Sequence, residues 1–528
     1  MSEQPSHVFV VRANLVHLAC DAWLLPTDAR VDVTPTWRRA LPDLDDRLAR
    51  TDVGPLRDGR ALAAELDSTP DEPSPILTVG PLAGFTSPDD LRPAVRAFLE
   101  LGAAVARRKR AAGRGTAASR PVPLLALPFF GSRGGGGELT QGSLLATLLD
   151  EVEDAGPALG VDIVLAFADD AAYAWAQQLR RTSGNVWRGL SGPIRREAER
   201  LAAEARRGRL VPFMGAGVSV TAGGPSWPAL IERLANAAQL DDEELTSLLR
   251  SGRDARDQAA FLRAAFLRSP RGDDPDGGFG AAIATIVDRP RYGLAPALLA
   301  LLRAEQSITL NYDELFERAA EDAGLARSVI PGTGALGERW LLKLHGTVTD
   351  RSTIVLTRRD YLGFRGERAA YSAMVTATMM TRHLLFVGFG LADDHFHEIV
   401  HDVRRTAGGT VDAPLGTVLT LEDDPLEMTI WRDELLFVRP DPLGEDSARG
   451  SSRAIEIFLD AVLALATDRS PYLLADGFED GLLADELALR GELLAFAERL
   501  DAGARGSPAW RTVERTLAEL GLVAKPSD

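Results

Sequence analysis

"RLVPFMGAGVSVTAGGPSW", residues 209–227, runs from an apolar strand-like segment straight into glycine. "LVPFM" meets Gly215-Ala216-Gly217, passes Ser219, and reaches Gly223 and Gly224 before Pro225 and Trp227. A bare backbone at the end of a buried strand suits a phosphate, because glycine lets main-chain N–H groups approach an anion and a following helix points its positive end at it. Two familiar phosphate loops do not fit. There is no GxxxxGK[ST], and a GxGxxG would need glycine where Val220 stands. Taken alone, the stretch reads equally well as a tight strand-to-helix turn without a ligand, so its meaning depends on what else lies at neighbouring strand ends.

The segments on either side supply those ends. Downstream, the strand candidates are "SITLNYD" (307–313), "RWLLKLHG" (339–346), "STIVLT" (352–357), "HLLFVGFG" (383–390) and "GTVLTLE" (416–422), with helical segments between several of them. Strands alternating with helices imply a parallel sheet, and ligands of such sheets gather at the carboxyl ends of the strands. The glycine loop, "LNYD", "LHG" and "GFG" all fall there. Upstream, "VFVV", "DAWLLPTDA", "PILTVG", "PLLALPFF" and "VDIVLAFA" alternate with helical stretches and predict a second, separate α/β unit. The resulting division is an α/β domain at 1–182, a linker and helix at 183–208, a Rossmann-like parallel-sheet domain at 209–440 and a helical region at 441–528. "RGDDPDGGFG" (271–280) reads as a polar surface loop.

Composition narrows the function. A chain of 528 residues exceeds one ordinary core. The net charge of -17 argues against general nucleic-acid binding, which draws its affinity from Lys and Arg. Cys20 is the only cysteine, so the chain forms no internal disulfide and no multi-cysteine zinc site. With no long uncharged apolar run and no leader-like amino terminus, a cytoplasmic protein without membrane contact is expected.

Four motifs in order, GAGVS (215–219), TLNYD (309–313), KLHG (343–346) and GFGLADD (388–394), resemble the sirtuin (SIR2-like) fold, and among its members the bacterial SIR2-like NADases of antiphage defence. The resemblance covers less than half of the chain. It implies NAD as substrate, with Gly215, Ala216, Gly217 and Ser219 along the pyrophosphate, Asn311 and Asp313 at the nicotinamide ribose, His345 as the catalytic histidine and Gly388, Phe389 and Gly390 near the adenosine half. Thr309 and Asp394 complete the cofactor-binding set, and Trp227 walls the nicotinamide pocket. The residue types suit the chemistry: cleaving the nicotinamide–ribose bond builds positive charge on the sugar, for which a carboxylate, an orienting Asn and a base working near neutral pH are fitting groups. Lys343 and His345, two apart in a strand, are expected on one face.

Departures from the family pattern point the same way. Its protein deacylases carry a four-cysteine zinc ribbon, which one cysteine cannot build, and the loop that usually reads approximately GIPDF is "GGPSW" here. Water is thus the expected acceptor, with no zinc, and the products are nicotinamide and linear or cyclic ADP-ribose. The amino-terminal unit resembles a macro-type ADP-ribose-binding domain, its glycines at 131 and 134–137 suited to a phosphorylated ligand, although "PTDA" replaces the usual Asn-rich loop. A partner-binding scaffold is the other reading of that unit. Because an unrestrained NADase would drain its own cell, a conditionally active homo-oligomer is expected, with the immune role implied by the resemblance alone. Two other functions fit parts of the sequence: a non-catalytic NAD or ADP-ribose sensor, and a zinc metalloprotease built on "HEIVH", with His397 and His401 as ligands, Glu398 as base and Glu422 or Glu427 as third ligand.

Overall fold

The computed structural model describes residues 6–80, 85–115, 120–131, 140–184, 190–270, 274–332, 337–391, 393–406, 414–421, 424–440 and 448–522. The chain divides into two compact units, one of Met1–Leu190 with Asp460–Asp528 and one of Ser191–Leu459. The sequence division treats 441–528 as its own region; most of it instead groups with the amino-terminal unit.

In that first unit, β1 (Val8–Arg12), β2 (Ala22–Thr27), β3 (Ala63–Glu65), β4 (Ser74–Val79), β5 (Leu124–Pro128) and β6 (Asp162–Phe167) form one sheet. Its order is β1-β6-β5-β2-β4-β3, and only β3 runs antiparallel. The central strands are mostly apolar and largely buried, as strands covered on both faces must be, with Ser74, Thr78 and Asp162 as buried polar exceptions. Cys20 is fully buried here. The carboxyl-terminal segment is tied in by Asp460, whose carboxylate accepts from Arg180 Nη1 at 3.0 Å and meets His7 Nε2 at 2.7 Å. Of the glycine run after β5, Gly131 has a left-handed φ of 85°. Gly134 to Gly137 lie outside the described residues.

The second unit holds seven strands, β7 (Leu210–Met214), β8 (Gln306–Thr309), β9 (Ser328–Ile330), β10 (Trp340–Lys343), β11 (His383–Val387), β12 (Gly416–Leu419) and β13 (Leu435–Val438). All are parallel, in the order β13-β12-β11-β7-β8-β10-β9. From β7 the chain builds outward to one side through β8, β9 and β10, then crosses to β11 on the other. The crevice at the tips of β7 and β11 is therefore the switch point at which open parallel sheets take ligands. Phe213 of β7 and Phe386 of β11 pack at 5.0 Å between ring centres, with Phe389 and Phe396 against them, fixing the tips from below.

Two local expectations fail. "STIVLT" is β-branched but forms no strand: Arg351–Thr353 is a 3-10 turn, and Thr357 with Asp360 makes a capping box that starts the helix Arg358–Glu367. "RGDDPDGGFG" is not simply a surface loop, since Phe279 is buried against Phe266 and opens the helix Phe279–Val287. That helix packs with Trp227–Ala238 and Ala255–Arg268 around Leu230, Leu234, Leu262 and Ile283, a helical cluster inserted between β7 and β8. No helix of the described residues is long and apolar enough to cross a membrane.

Candidate functional site

A cavity of about 400 Å³ opens at the switch point. Its floor is the tips of β7, β8 and β11: Gly215, Ala216 and Ser219 after β7, Asn311 and Asp313 after β8, Gly388 to Gly390 after β11. His345, two residues beyond β10, and Trp227 also line it. Ten of the thirteen residues singled out from the sequence thus meet in one place.

The glycines serve packing first. Gly217 N donates to Gly388 O at 2.9 Å and Gly215 N to Val387 O at 3.0 Å, so these two amides join β7 to β11 and are not free for an anion. A Cβ on Gly217 would sit 2.6 Å from Gly388 Cα, and one on Gly215 would sit 2.4 Å from Gly388 O. Gly217 itself does not line the cavity. After Gly215 the chain turns as a 3-10 helix, Ala216–Ala222, and the first α-helix starts only at Trp227. An anion at this loop would meet a short turn, not the helix end expected from the sequence.

Ser219 is the knot of the site. Its buried hydroxyl donates to Asp313 Oδ2 at 2.8 Å and accepts from Asn311 Nδ2 at 3.3 Å. Asp313 Oδ1 accepts from Leu315 N at 3.1 Å at the start of the helix Leu315–Asp322. The Asn-Tyr-Asp segment is therefore both the turn that Asn and Asp favour and a wall of the cavity, with Asp313 engaged through both carboxylate oxygens. Thr309 lies beneath, bonding Met214 O at 3.2 Å and accepting from Asn311 N at 3.0 Å, outside the cavity lining.

Lys343 does not join His345 in the cavity. The strand ends at Lys343, and its fully buried ammonium donates to Asp313 O at 2.6 Å, Tyr312 O at 3.3 Å and Glu317 Oε1 at 2.6 Å. It braces the Asn-Tyr-Asp turn from the protein side. Burial pushes the Glu317 carboxyl up, against the pull of Lys343.

His345 is 3% exposed, with Nε2 lacking a hydrogen-bond partner and lying 3.7 Å from Asp393 Oδ2. Burial lowers its pKa to about 4 against the opposing pull of Asp393, so the imidazole is neutral at neutral pH and offers a lone pair. Trp227 Nε1, buried and without a partner, is a donor in the same cavity.

The polar lining residues Asp254, Arg256 and Tyr361 lie outside the quoted motifs, and Asp393, inside GFGLADD, lines the cavity where the sequence reading placed Asp394. Arg256 pairs with Asp254 at 2.7 Å and with Asp394, and its guanidinium stands 5.1 Å over the Tyr361 ring. Asp254 is held well below the usual carboxylate range by its hydrogen bonds from Arg256, despite partial burial. Asp394 meets Arg256 with a largely exposed side chain and does not line the cavity; Asp393, whose Oδ1 accepts from Phe396 N at 3.2 Å, is the residue that caps the helix Asp394–Thr406. On that helix His397 and His401 are exposed, with His397 against Trp431 at 4.8 Å. Neither belongs to a three-ligand group among the described residues, and Glu422 lies outside them.

Comparison with known proteins centres on the same half of the chain. Residues 305–438 match the SIR2-like domain family. This match begins after the glycine loop, so it covers the Asn-Tyr-Asp, His345 and Gly388 segments but not residues 215–219. The chain is 26% identical over 234 residues to Defense-associated sirtuin 2 of Bacillus subtilis, spanning 43% of this chain and 22% of that protein. It is 27% identical over 213 residues to the NAD(+) hydrolase ThsA of Enterococcus faecium, spanning 39% of this chain and 42% of the relative. The ThsA of Bacillus cereus (strain MSX-D12) is 26% identical over 205 residues, 36% of this chain and 39% of that one. The chain thus spans less than half the length of the relatives it matches.

Proposed function

We propose that the cavity binds NAD and hydrolyses the bond between nicotinamide and ribose, releasing nicotinamide and ADP-ribose, in a conditionally active effector of antiphage defence. The observation that carries this reading is the meeting of Asn311, His345 and Trp227 in one cavity at the β7/β11 switch point. Its volume of about 400 Å³ lies within the range of small-molecule sites. The names of the relatives, NAD(+) hydrolase and defense-associated sirtuin, support the substrate and the setting.

In this mechanism the C1′–N bond breaks with its electron pair leaving on nicotinamide, and positive charge develops on the ribose. Water adds to C1′ and passes a proton to His345, whose Nε2 is buried without a partner. Asn311 orients the ribose hydroxyls or that water, held in place by Ser219. Asp313, anchored by Ser219 and Leu315 N, contributes its negative charge to the field at the sugar. The amino-terminal unit serves as the receptor for a phosphorylated nucleotide or ADP-ribose-type ligand, and self-association completes the switch. To move from mostly off to mostly on, these must together favour the active state by about 5.5 kcal/mol.

Incubating the purified full chain with NAD, with and without candidate nucleotides and over a range of protein concentration, and following nicotinamide release tests this. Asn311→Ala and His345→Ala should each lower the rate by orders of magnitude while circular dichroism stays unchanged. NAD bound tightly without turnover under every condition would replace hydrolysis by sensing.

A further inference from the structure

His345, Asp393 and His395 each turn a ligand atom toward a common point, all of these atoms lying within 4.8 Å of one another. The environment of each is unusual. His395 is 5% exposed and its ring is sandwiched between Phe364, 3.8 Å away centre to centre, and Tyr361, 4.5 Å away, both nearly parallel to it. Its Nε2 lies 3.2 Å from the Tyr361 carbonyl oxygen. A carbonyl can only accept, so Nε2 carries a hydrogen and Nδ1 is the nitrogen left to act as a ligand atom. That Nδ1 is buried without a hydrogen-bond partner and faces Asp393 Oδ1 at 4.0 Å. His345 Nε2, likewise buried and without a partner, faces Asp393 Oδ2 at 3.7 Å.

Two buried imidazole nitrogens, neither with a hydrogen-bond partner, thus converge on one carboxylate. Burying the two nitrogens unsatisfied is costly, and a cation shared with the carboxylate satisfies both. The donor set, two imidazoles and a carboxylate, is that of zinc-type sites with an open position. Tetrahedral bonds of about 2.0–2.1 Å space ligand atoms roughly 3.3 Å apart, so the two nitrogens, 3.7 and 4.0 Å from the carboxylate oxygens, would draw in on binding the ion. The surroundings match what metal-binding histidines require. The second nitrogen of His395 donates to a backbone carbonyl, and Asp393 is oriented by the Tyr361 hydroxyl at 3.0 Å and by Phe396 N. His345 and Asp393 line the cavity, which leaves the remaining coordination position facing the space where substrate would lie.

We propose that His345, Asp393 and His395 bind a divalent transition-metal ion of the zinc type, and that the bound ion holds the cavity inactive by occupying His345 Nε2. The metal site stands on its own residues; its inhibitory effect rests on the reading of the cavity as an NAD-cleaving site. A metal bond to Nε2 takes the lone pair that would accept the proton from water, so metal and turnover exclude each other. The inhibitor would be the free ion, read by a site that removes a catalytic group instead of supplying one.

The test uses the full chain stripped of metal with a chelator. Titration with Co²⁺, a visible-absorbing substitute for zinc, should give one bound ion per chain with d–d bands of a tetrahedral site, displaced by Zn²⁺. His395→Phe keeps the ring stacking, removes one ligand, and should weaken binding at least tenfold. Asp393→Asn should do the same and decides the matter if His395→Phe does not fold. His397→Ala with His401→Ala should bind Co²⁺ as the unaltered chain does. In the NAD assay, stoichiometric Zn²⁺ should slow the unaltered chain at least tenfold and a chelator should restore it, whereas His395→Phe should cleave NAD with little response to Zn²⁺. Absence of stoichiometric Co²⁺ binding, or binding unaffected by the folded ligand variant, overturns the site. Binding as expected with no NAD cleavage in the metal-free chain, at any protein concentration and with each candidate nucleotide, would leave the site standing and remove the hydrolase reading. Cleavage that requires the ion would overturn the inhibitory role.

Discussion

Replacing Gly388 by alanine tests whether the contact between the tips of β7 and β11 is what the glycines are for. Gly388 has a φ of 61°, the left-handed region, where a Cβ costs roughly 1–2 kcal/mol. That Cβ would also stand 2.5 Å from Val218 N and 2.6 Å from Gly217 C, both backbone atoms that no rotamer change can move aside. Overpacking of this kind adds about 1–3 kcal/mol, so a total near 3 kcal/mol is expected. Gly390, two residues on, is the control: a Cβ there meets nothing within 4 Å and its φ is not in the left-handed region. Gly390→Ala should therefore change stability by no more than about 1 kcal/mol, in either direction. Amide hydrogen exchange of β7 and β11 reads the effect locally, and 3 kcal/mol corresponds to roughly a hundredfold loss of protection. Equal protection in the two variants would refute the packing argument and return these glycines to a purely ligand-binding role.

Ser219→Ala leaves Asp313 Oδ2 and Asn311 Nδ2 without their shared partner and should cost about 1–3 kcal/mol by denaturant unfolding, with a loss of NAD turnover smaller than that of Asn311→Ala. In the amino-terminal unit, burial pushes Asp460 up, but Arg180 and His7 outweigh it and hold the carboxyl below its ordinary value. Its contribution is therefore present above the unfolded pKa of about 3.9 and lost as pH falls through the lower folded value, so acid unfolding followed by circular dichroism should set in below about pH 4. Arg180→Met, by stranding that buried carboxylate, should cost about 3–5 kcal/mol and move the acid transition to higher pH; an unmoved transition would deny the pair this role. An acetyl-lysine peptide should remain acetylated in the presence of enzyme and NAD, as mass spectrometry of the peptide would show, because the lone Cys20 leaves no zinc ribbon to shape a peptide cleft.

The sequence makes the parallel sheet legible because buried strands read as short apolar runs and their ends carry Gly, Asn and His. Gly215, Asn311, His345 and Gly388, all read from those ends, line one cavity. Contributions from helices were not legible. Arg256 and Tyr361 sit on helices far apart in sequence, with spacing no different from a solvated face, and within GFGLADD nothing marked Asp393 over Asp394 as the one facing the cavity. The strand reading of 352–357 shows how β-branched residues mislead when a capping pair, here Thr357 and Asp360, claims the segment's end. Lys343 and His345 misled for a related reason: alternation holds only while the strand lasts, and β10 stops between them. The packing duty of Gly215 and Gly217 is not legible, because a sequence shows that a backbone is bare without showing which backbone lies against it.

The seclusion of Cys20 has a practical side. A chain whose one thiol is fully buried is already prepared for site-directed labelling, with no native cysteine to delete first. Ser226 is exposed at the mouth of the cavity, one residue before the Trp227 ring. Ser226→Cys would place a lone reactive sulfur there for a fluorophore or spin probe, whose signal would report the opening and filling of the cavity in real time.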